Sequence, residues 1–252
     1  MTLPLVATFP LDKSPFYSRI STQIAASPAK NYYAIAFNPG YPLQASELNE
    51  VQELFFINNT LSNRFSSIWQ AEGSNIPYWN GMIPLDPTYI SLTNVTNTST
   101  SGNWTGTIII SNGWYLWNNP NSNLGFWIYL DVDVTGTFTI PFNATRYIGF
   151  TVLDQVISCC SSSTCSDTQD EDIRDNSSGF AGGYLTCGAS RLKATINPAI
   201  DVRDAIPTSA EPEDGSFWSL LFRITTDDAT LTAQYTDNTT VFTSVPTTVA
   251  SS

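Results

Sequence analysis

The sequence predicts a mainly β protein: a β-sandwich or barrel-like domain carrying one long N-terminal α-helix and extended terminal arms. Three observations point there. Short runs of alternating apolar and polar residues, separated by turn residues, recur between positions 77 and 157, which is the pattern of half-buried strands. Only the stretch 43–70 combines a 3–4 apolar spacing with freedom from Gly and Pro. The two ends show neither period.

The elements follow in order. Residues 1–41 read as an extended arm punctuated by Pro4, Pro10, Pro15 and Pro28, with a short strand at Tyr32–Phe37 and a turn at Asn38-Pro39-Gly40. Residues 42–72 hold the helix, expected over 43–69, with Pro42 in its first turn. Leu48, Val51, Phe55, Phe65 and Trp69 fall on a 3–4 spacing, and Leu54, Leu61 and Ile68 recur every seven residues. Two readings stay open for this stripe: packing on the chain's own β-domain, or an oligomerisation seam. Glu47, Glu50 and Glu53 early and Arg64 late agree with the helix dipole.

A β-domain is expected over 73–200. Thr107–Ile110 and Trp114–Trp117 flank Ser111-Asn112-Gly113, and Asn-Gly is the strongest short hairpin signal. Phe126, Ile128, Leu130, Val132 and Val134 alternate with Trp127, Tyr129, Asp131 and Asp133, which predicts one half-buried strand with both acids on its outer face. Further strands are expected at Thr137–Ile140, Tyr147–Ile157 and 190–200, the last two separated by a Cys- and Asp-rich loop at 158–189. Residues 201–252 read as an acidic linker to 215, a hairpin around Asp227-Asp228, and an extended C-terminal arm.

Composition limits the chemistry. The 252 residues include 22 acidic and 10 basic side chains and no histidine. A Ser-His-Asp or Cys-His pair and a His-bound metal are therefore excluded. A net charge of −12 argues against nucleic acid and against anionic membranes, since both bind clustered Lys and Arg. Charged residues make up 13%, against roughly 25% in ordinary soluble domains. Between Arg64 and Arg146 there is no Lys or Arg. A surface of Asn, Ser, Thr and aromatics suits a permanently assembled subunit or a carbohydrate-binding face. The second alternative would use Trp114, Trp117, Trp127 and Tyr129 as stacking platforms for a host-surface glycan. Asp131 and Asp133, two apart on a strand, are spaced for glycoside hydrolysis, yet such pairs are commonplace on solvent faces. No enzyme activity, catalytic residue or cofactor is expected.

Cys159, Cys160, Cys165 and Cys187 lack a Cys-x2-Cys pair, and adjacent cysteines rarely ligate one ion. They are candidates for one or two disulfides in an oxidising setting, with zinc and free thiols as the other readings. Asp167, Asp170, Glu171, Asp172 and Asp175 do not follow the EF-hand order and read as a solvated loop. No metal site is expected. The first ten residues have no basic leader, and no stretch of 18 apolar residues occurs. The expectation is a protein made in a cytoplasm that spans no bilayer.

Two separated stretches carry a resemblance. One is Ala36-Phe-Asn-Pro-Gly-Tyr-Pro-Leu-Gln-Ala-Ser-Glu-Leu-Asn-Glu-Val-Gln52; the other is Tyr147–Ile157 with Cys187-Gly-Ala-Ser-Arg-Leu-Lys193. They resemble a domain of unknown function in baseplate and tail-fibre proteins of tailed phages, cyanophages above all. The matching positions are Pro39, Gly40, Leu43, Gln44, Glu47, Leu48, Asn49 and Gln52 in the first, and Gly188, Arg191 and Leu192 in the second. Phe217–Leu231 is similar to that family's closing strand pair. Ser46 stands where the family often has arginine. The resemblance implies a virion structural protein of the tail, a baseplate or fibre component or adaptor, assembled in the host cytoplasm. Its implied partners are other tail proteins and copies of itself, a trimer first. Leu48, Val51, Leu54, Phe55, Leu61, Phe65, Ile68 and Trp69 are the assembly residues this reading selects.

Overall fold

The computed structural model describes residues 31–37, 45–71, 81–98, 102–119, 124–159, 166, 168–170, 189–206, 216–235, 241–244 and 248–249. Pro39, Gly40, Leu43, Gln44, Gly188, Cys160, Cys165 and Cys187 lie outside the described residues, as do the side chains of Asn49, Trp69 and Cys159. Most of the N-terminal arm and of the 158–189 loop lies outside them too.

In chain order the elements are β1 (Tyr32–Ala36), α1 (Ala45–Ala71), β2 (Met82–Pro84), β3 (Ile90–Thr98), β4 (Asn103–Ile110), β5 (Gly113–Asn119), β6 (Leu124–Leu130), β7 (Val134–Pro141), β8 (Thr145–Cys159), β9 (Gln169–Asp170), β10 (Ser190–Ile196), β11 (Asp201–Arg203), β12 (Ser216–Thr226), β13 (Leu231–Gln234), β14 (Val241–Ser244) and β15 (Thr248–Val249). The protein is mainly β with a single α-helix among the described residues, as the alternation and the lone 3.6-period stretch predict.

Two compact units divide the chain. One comprises Met1–Thr60 with Asp154–Thr195, the other Leu61–Leu153 with Ile196–Ser252. Helix α1 and strand β8 each run from one unit into the other. The division differs from the expected one, which set the helix apart from residues 73–200 and gave 201–252 to a separate tail. The reason is pairing at long range. β12 joins β8 with Phe217 opposite Val152 and Thr225 opposite Thr145. β11, expected as linker, pairs with β8 through Val202 opposite Ile148. The C-terminal arm is likewise pinned: β14 pairs antiparallel with β13, and β15 runs parallel to β3.

In the larger unit β3, β4 and β7 form an antiparallel ladder, while β2, β5 and β6 form another. The expected hairpin at Asn112-Gly113 does not form, since β4 and β5 belong to different sheets. Several groups steer the chain across. The Ser111 N–H donates to the Tyr89 carbonyl at 2.8 Å. The Asn112 N–H donates to Asp133 Oδ1 at 2.7 Å, and Tyr115 O–H to the Ser111 carbonyl at 2.7 Å. Gly113 takes φ +146°, and a Cβ there would meet the Tyr89 ring at 2.5 Å.

Alternation decides what is buried. On β4, Trp104, Ile108 and Ile110 point inward while Thr105 and Thr107 are half-exposed. Tyr115 and Trp117 of β5 and Phe150, Phe222 and Tyr235 join the buried set. Two buried indoles are met: Trp117 Nε1 donates to Ser219 Oγ at 2.9 Å, and Trp104 Nε1 to the Asp227 carbonyl at 2.8 Å. Gly81 lets β2 approach β12, since a Cβ there would lie 2.2 Å from the Leu220 carbonyl oxygen. The hairpin around Asp227-Asp228 is present, joining β12 to β13. Its Asp227 carboxylate accepts from Thr230 Oγ1 at 2.6 Å and from the Ala229 N–H at 2.7 Å.

In the smaller unit β1 pairs antiparallel with β10, Ala36 opposite Ser190 and Ile35 opposite Arg191. Tyr33 is buried and donates from its hydroxyl to Asp154 Oδ1 at 2.8 Å.

Candidate functional site: a helix with its carboxylates turned inward

The β1–β10 register sets the end of the first motif stretch's strand beside the start of β10. The helix that follows completes the cluster. Glu47 in its first turn accepts a hydrogen bond from the Ala189 N–H. Arg191 donates from one guanidinium nitrogen to the Ala189 carbonyl and pairs through Nη2 with Glu50 Oε2 at 2.5 Å. Arg191 and Glu50 are each 1% exposed at the side chain, and Glu47 and Glu53 are buried as well. Glu47 is thus a tertiary fastener, where the sequence offered a match to the helix dipole. Arg191 and Glu47, both matching positions of the resembling motifs, are brought together; Glu50, read only for the helix dipole, and Ala189 complete the cluster. The signal for Glu50 was its place three residues after Glu47, on the same helix face.

An arginine fork suits this task because its planar donors can serve a carboxylate and a carbonyl together. Charges this deeply buried must be paired, since the desolvation cost otherwise exceeds anything gained.

The fastener sets which way the helix faces. At about 100° per residue, Glu47, Glu50 and Glu53 centre roughly 130° around the helix from Leu48, Val51 and Phe55. With the acids inside, the apolar residues are outside: Leu48 is 45% exposed, Val51 42%, Phe55 65% and Phe56 42%. Phe55 and Phe56 stack edge to face with centroids 6.0 Å apart.

Farther along the helix the polarity reverses. Leu61 and Phe65 are buried, Phe65 meeting Trp127 at 5.7 Å edge to face. Trp127 Nε1 donates to Ser62 Oγ at 3.2 Å. The 3–4 stripe expected from Leu48 to Trp69 is therefore not one face. Leu61 and Phe65 are core residues and are withdrawn from the assembly set. Leu54 and Ile68 are half-buried. Leu48, Val51 and Phe55 remain available. Arg64 lies well before the helix end, and the last turn has no basic residue, so the expected C-terminal dipole match is absent.

The structure rearranges the residues of two alternative sites. Trp117 is fully buried and Trp127 is 6% exposed, so neither offers a ring face to a sugar. Trp114 and Tyr129 are half-buried and meet edge to face at 5.2 Å, leaving no coplanar platform. Asp131 and Asp133 are not on a strand: β6 ends at Leu130, and both acids are exposed in the turn before β7. Asp133 there holds the Asn112 N–H, a turn-locking role.

Among the described residues no group of three or more Cys, Asp or Glu side chains is placed to hold a metal ion. Nor is any helix among them long and apolar enough to cross a membrane. Compared with protein-family models, with curated proteins and with solved structures, the chain matches none.

Proposed function

We propose that this chain is a structural subunit of a phage tail, a component of the baseplate or of a fibre attachment, which works by assembling with copies of itself and with neighbouring tail proteins. The observation that carries the reading is the helix that hides three carboxylates and turns Leu48, Val51, Phe55 and Phe56 to solvent. A freely diffusing enzyme gains nothing from such a face, whereas a subunit that spends its life in an assembly covers it. The residues that build the fastener, Glu47 and Arg191, belong to the stretches that resemble phage baseplate and fibre domains. The low density of charge between Arg64 and Arg146 fits the same use, because contact surfaces in permanent assemblies are depleted of charge.

The test is direct. Gold-labelled antibody raised against the purified chain is applied to virions of the phage whose genome encodes it. Decoration at the tail supports the proposal. Virions whose tails bind no antibody, together with tryptic digests that lack its peptides, overturn it.

A further inference from the structure

We infer that the outward face of the first half of α1 is a homotypic contact: its occupant is the same face of a second copy of this chain. The inference deepens the assembly reading above by naming the partner and the residues.

Size comes first. Leu48, Val51, Phe55 and Phe56, exposed by 42–65%, together leave roughly 350 Å² of apolar surface, the size of the largest apolar patch on a typical monomer, which is often functional. A stable interface covers about 800 Å² per partner, so the patch is the apolar centre and needs a rim. Gln52 and Asn59 supply one, being the exposed polar residues beside it. An apolar centre ringed by uncharged amides is the anatomy of a protein contact.

Charge restricts the occupant. Each copy carries −12, and with screening over about 8 Å at physiological salt it is the charge near the contact that opposes it, so two copies can meet only through faces that bear little charge. Every exposed helix residue from 48 to 59 whose side chain is described (Leu48, Val51, Gln52, Phe55, Phe56 and Asn59) is uncharged. The carboxylates that would repel a copy, or draw in a basic foreign protein, are the ones held inside by Arg191 and Ala189. Geometry agrees: Leu48, Val51 and Phe55 follow the 3–4 spacing by which two helices interlock.

Light scattering with size-exclusion chromatography tests this on the full chain over a range of concentrations. The wild type is expected as a discrete homo-oligomer. Phe55→Glu and, separately, Leu48→Glu are expected to weaken association about thirtyfold or more, the loss typical of an interface anchor. Phe55→Leu is expected to keep the oligomer. Circular dichroism should be unchanged in all three, because the altered side chains lie outside the core, and both Glu variants should melt as the wild type does when diluted to the monomer. Sodium sulfate should tighten the wild-type contact, as it does apolar burial generally. A wild type that stays monomeric at about 100 µM, far above the Kd of a stable assembly, overturns the inference. So does an oligomer unaffected by both Glu variants. Virion labelling decides the tail reading by itself, so each conclusion can fail without the other.

Discussion

Replacing Arg191 by Met removes the cation from between Glu50 and the Ala189 carbonyl while keeping most of the side chain's length. Two carboxylates, Glu47 and Glu50, are then left in a site where Arg191 and Glu50 are 1% exposed. Breaking a buried pair by deleting one partner costs about 3–5 kcal/mol, a large part of the 5–15 kcal/mol that holds a typical domain together. The loss should fall on the unit containing Met1–Thr60 and Asp154–Thr195. Hydrogen exchange at the amides of 47–58 and at Ala189 should therefore accelerate by about two to four orders of magnitude, as about 3–5 kcal/mol requires. The hydrogen bond from Trp117 to Ser219 should keep its protection. The double variant Glu50→Leu/Arg191→Met should recover most of the loss, because apolar replacement of a buried pair is near neutral. A single variant costing under about 1 kcal/mol, or a double variant whose losses simply add, would refute the view that this pair fixes the helix.

Three other outcomes are expected. Gly81→Ala places a Cβ 2.2 Å from the Leu220 carbonyl oxygen, where backbone must move, so urea unfolding should show a loss of about 1–3 kcal/mol or more. Burial raises the phenol pKa of Tyr115 and of Tyr235 above the ordinary 10.0. The folded state thus holds these protons longer than the unfolded one, and the stability this contributes is complete below pH 10 and falls as pH rises further; absorbance at 295 nm should show both ionising only with unfolding. The Asp227 carboxyl is held below its ordinary 3.8 by hydrogen bonds from the Thr230 side chain and from the Ala229 and Thr230 amides. Its contribution is present above that value and disappears as pH falls through the folded one, so Asp227→Asn should lower the melting temperature at neutral pH and flatten its acid limb.

Much of the fold was legible because strand alternation is local. Ile128 and Leu130 alternate with Tyr129 in the sequence, and β6 buries the first two while Tyr129 is half-buried. The Asn112-Gly113 connection misleads because turn chemistry says that the chain reverses, not which sheet the next strand joins. That choice rests on Tyr89, Asp133 and Tyr115, scattered along the sequence. The helix was legible as a helix but not in its orientation. Its sequence alone places Glu47, Glu50 and Glu53 at the solvent, as propensity and hydration both prefer. One arginine on a distant strand reverses that choice. The remote pairing of β12, β14 and β15 was hidden for the same reason: no short window of sequence contains both partners.

The reach of the fastener along the chain has a consequence for synthesis. Glu47 meets Ala189 across 142 residues, so at roughly 5–20 residues per second a ribosome needs about 7–28 s to deliver the second half after the first. During that interval nothing holds the carboxylates inward, and a nascent helix exposes its negative side. The inward orientation of these acids is therefore fixed only late in synthesis, once Ala189 and Arg191 have left the ribosome.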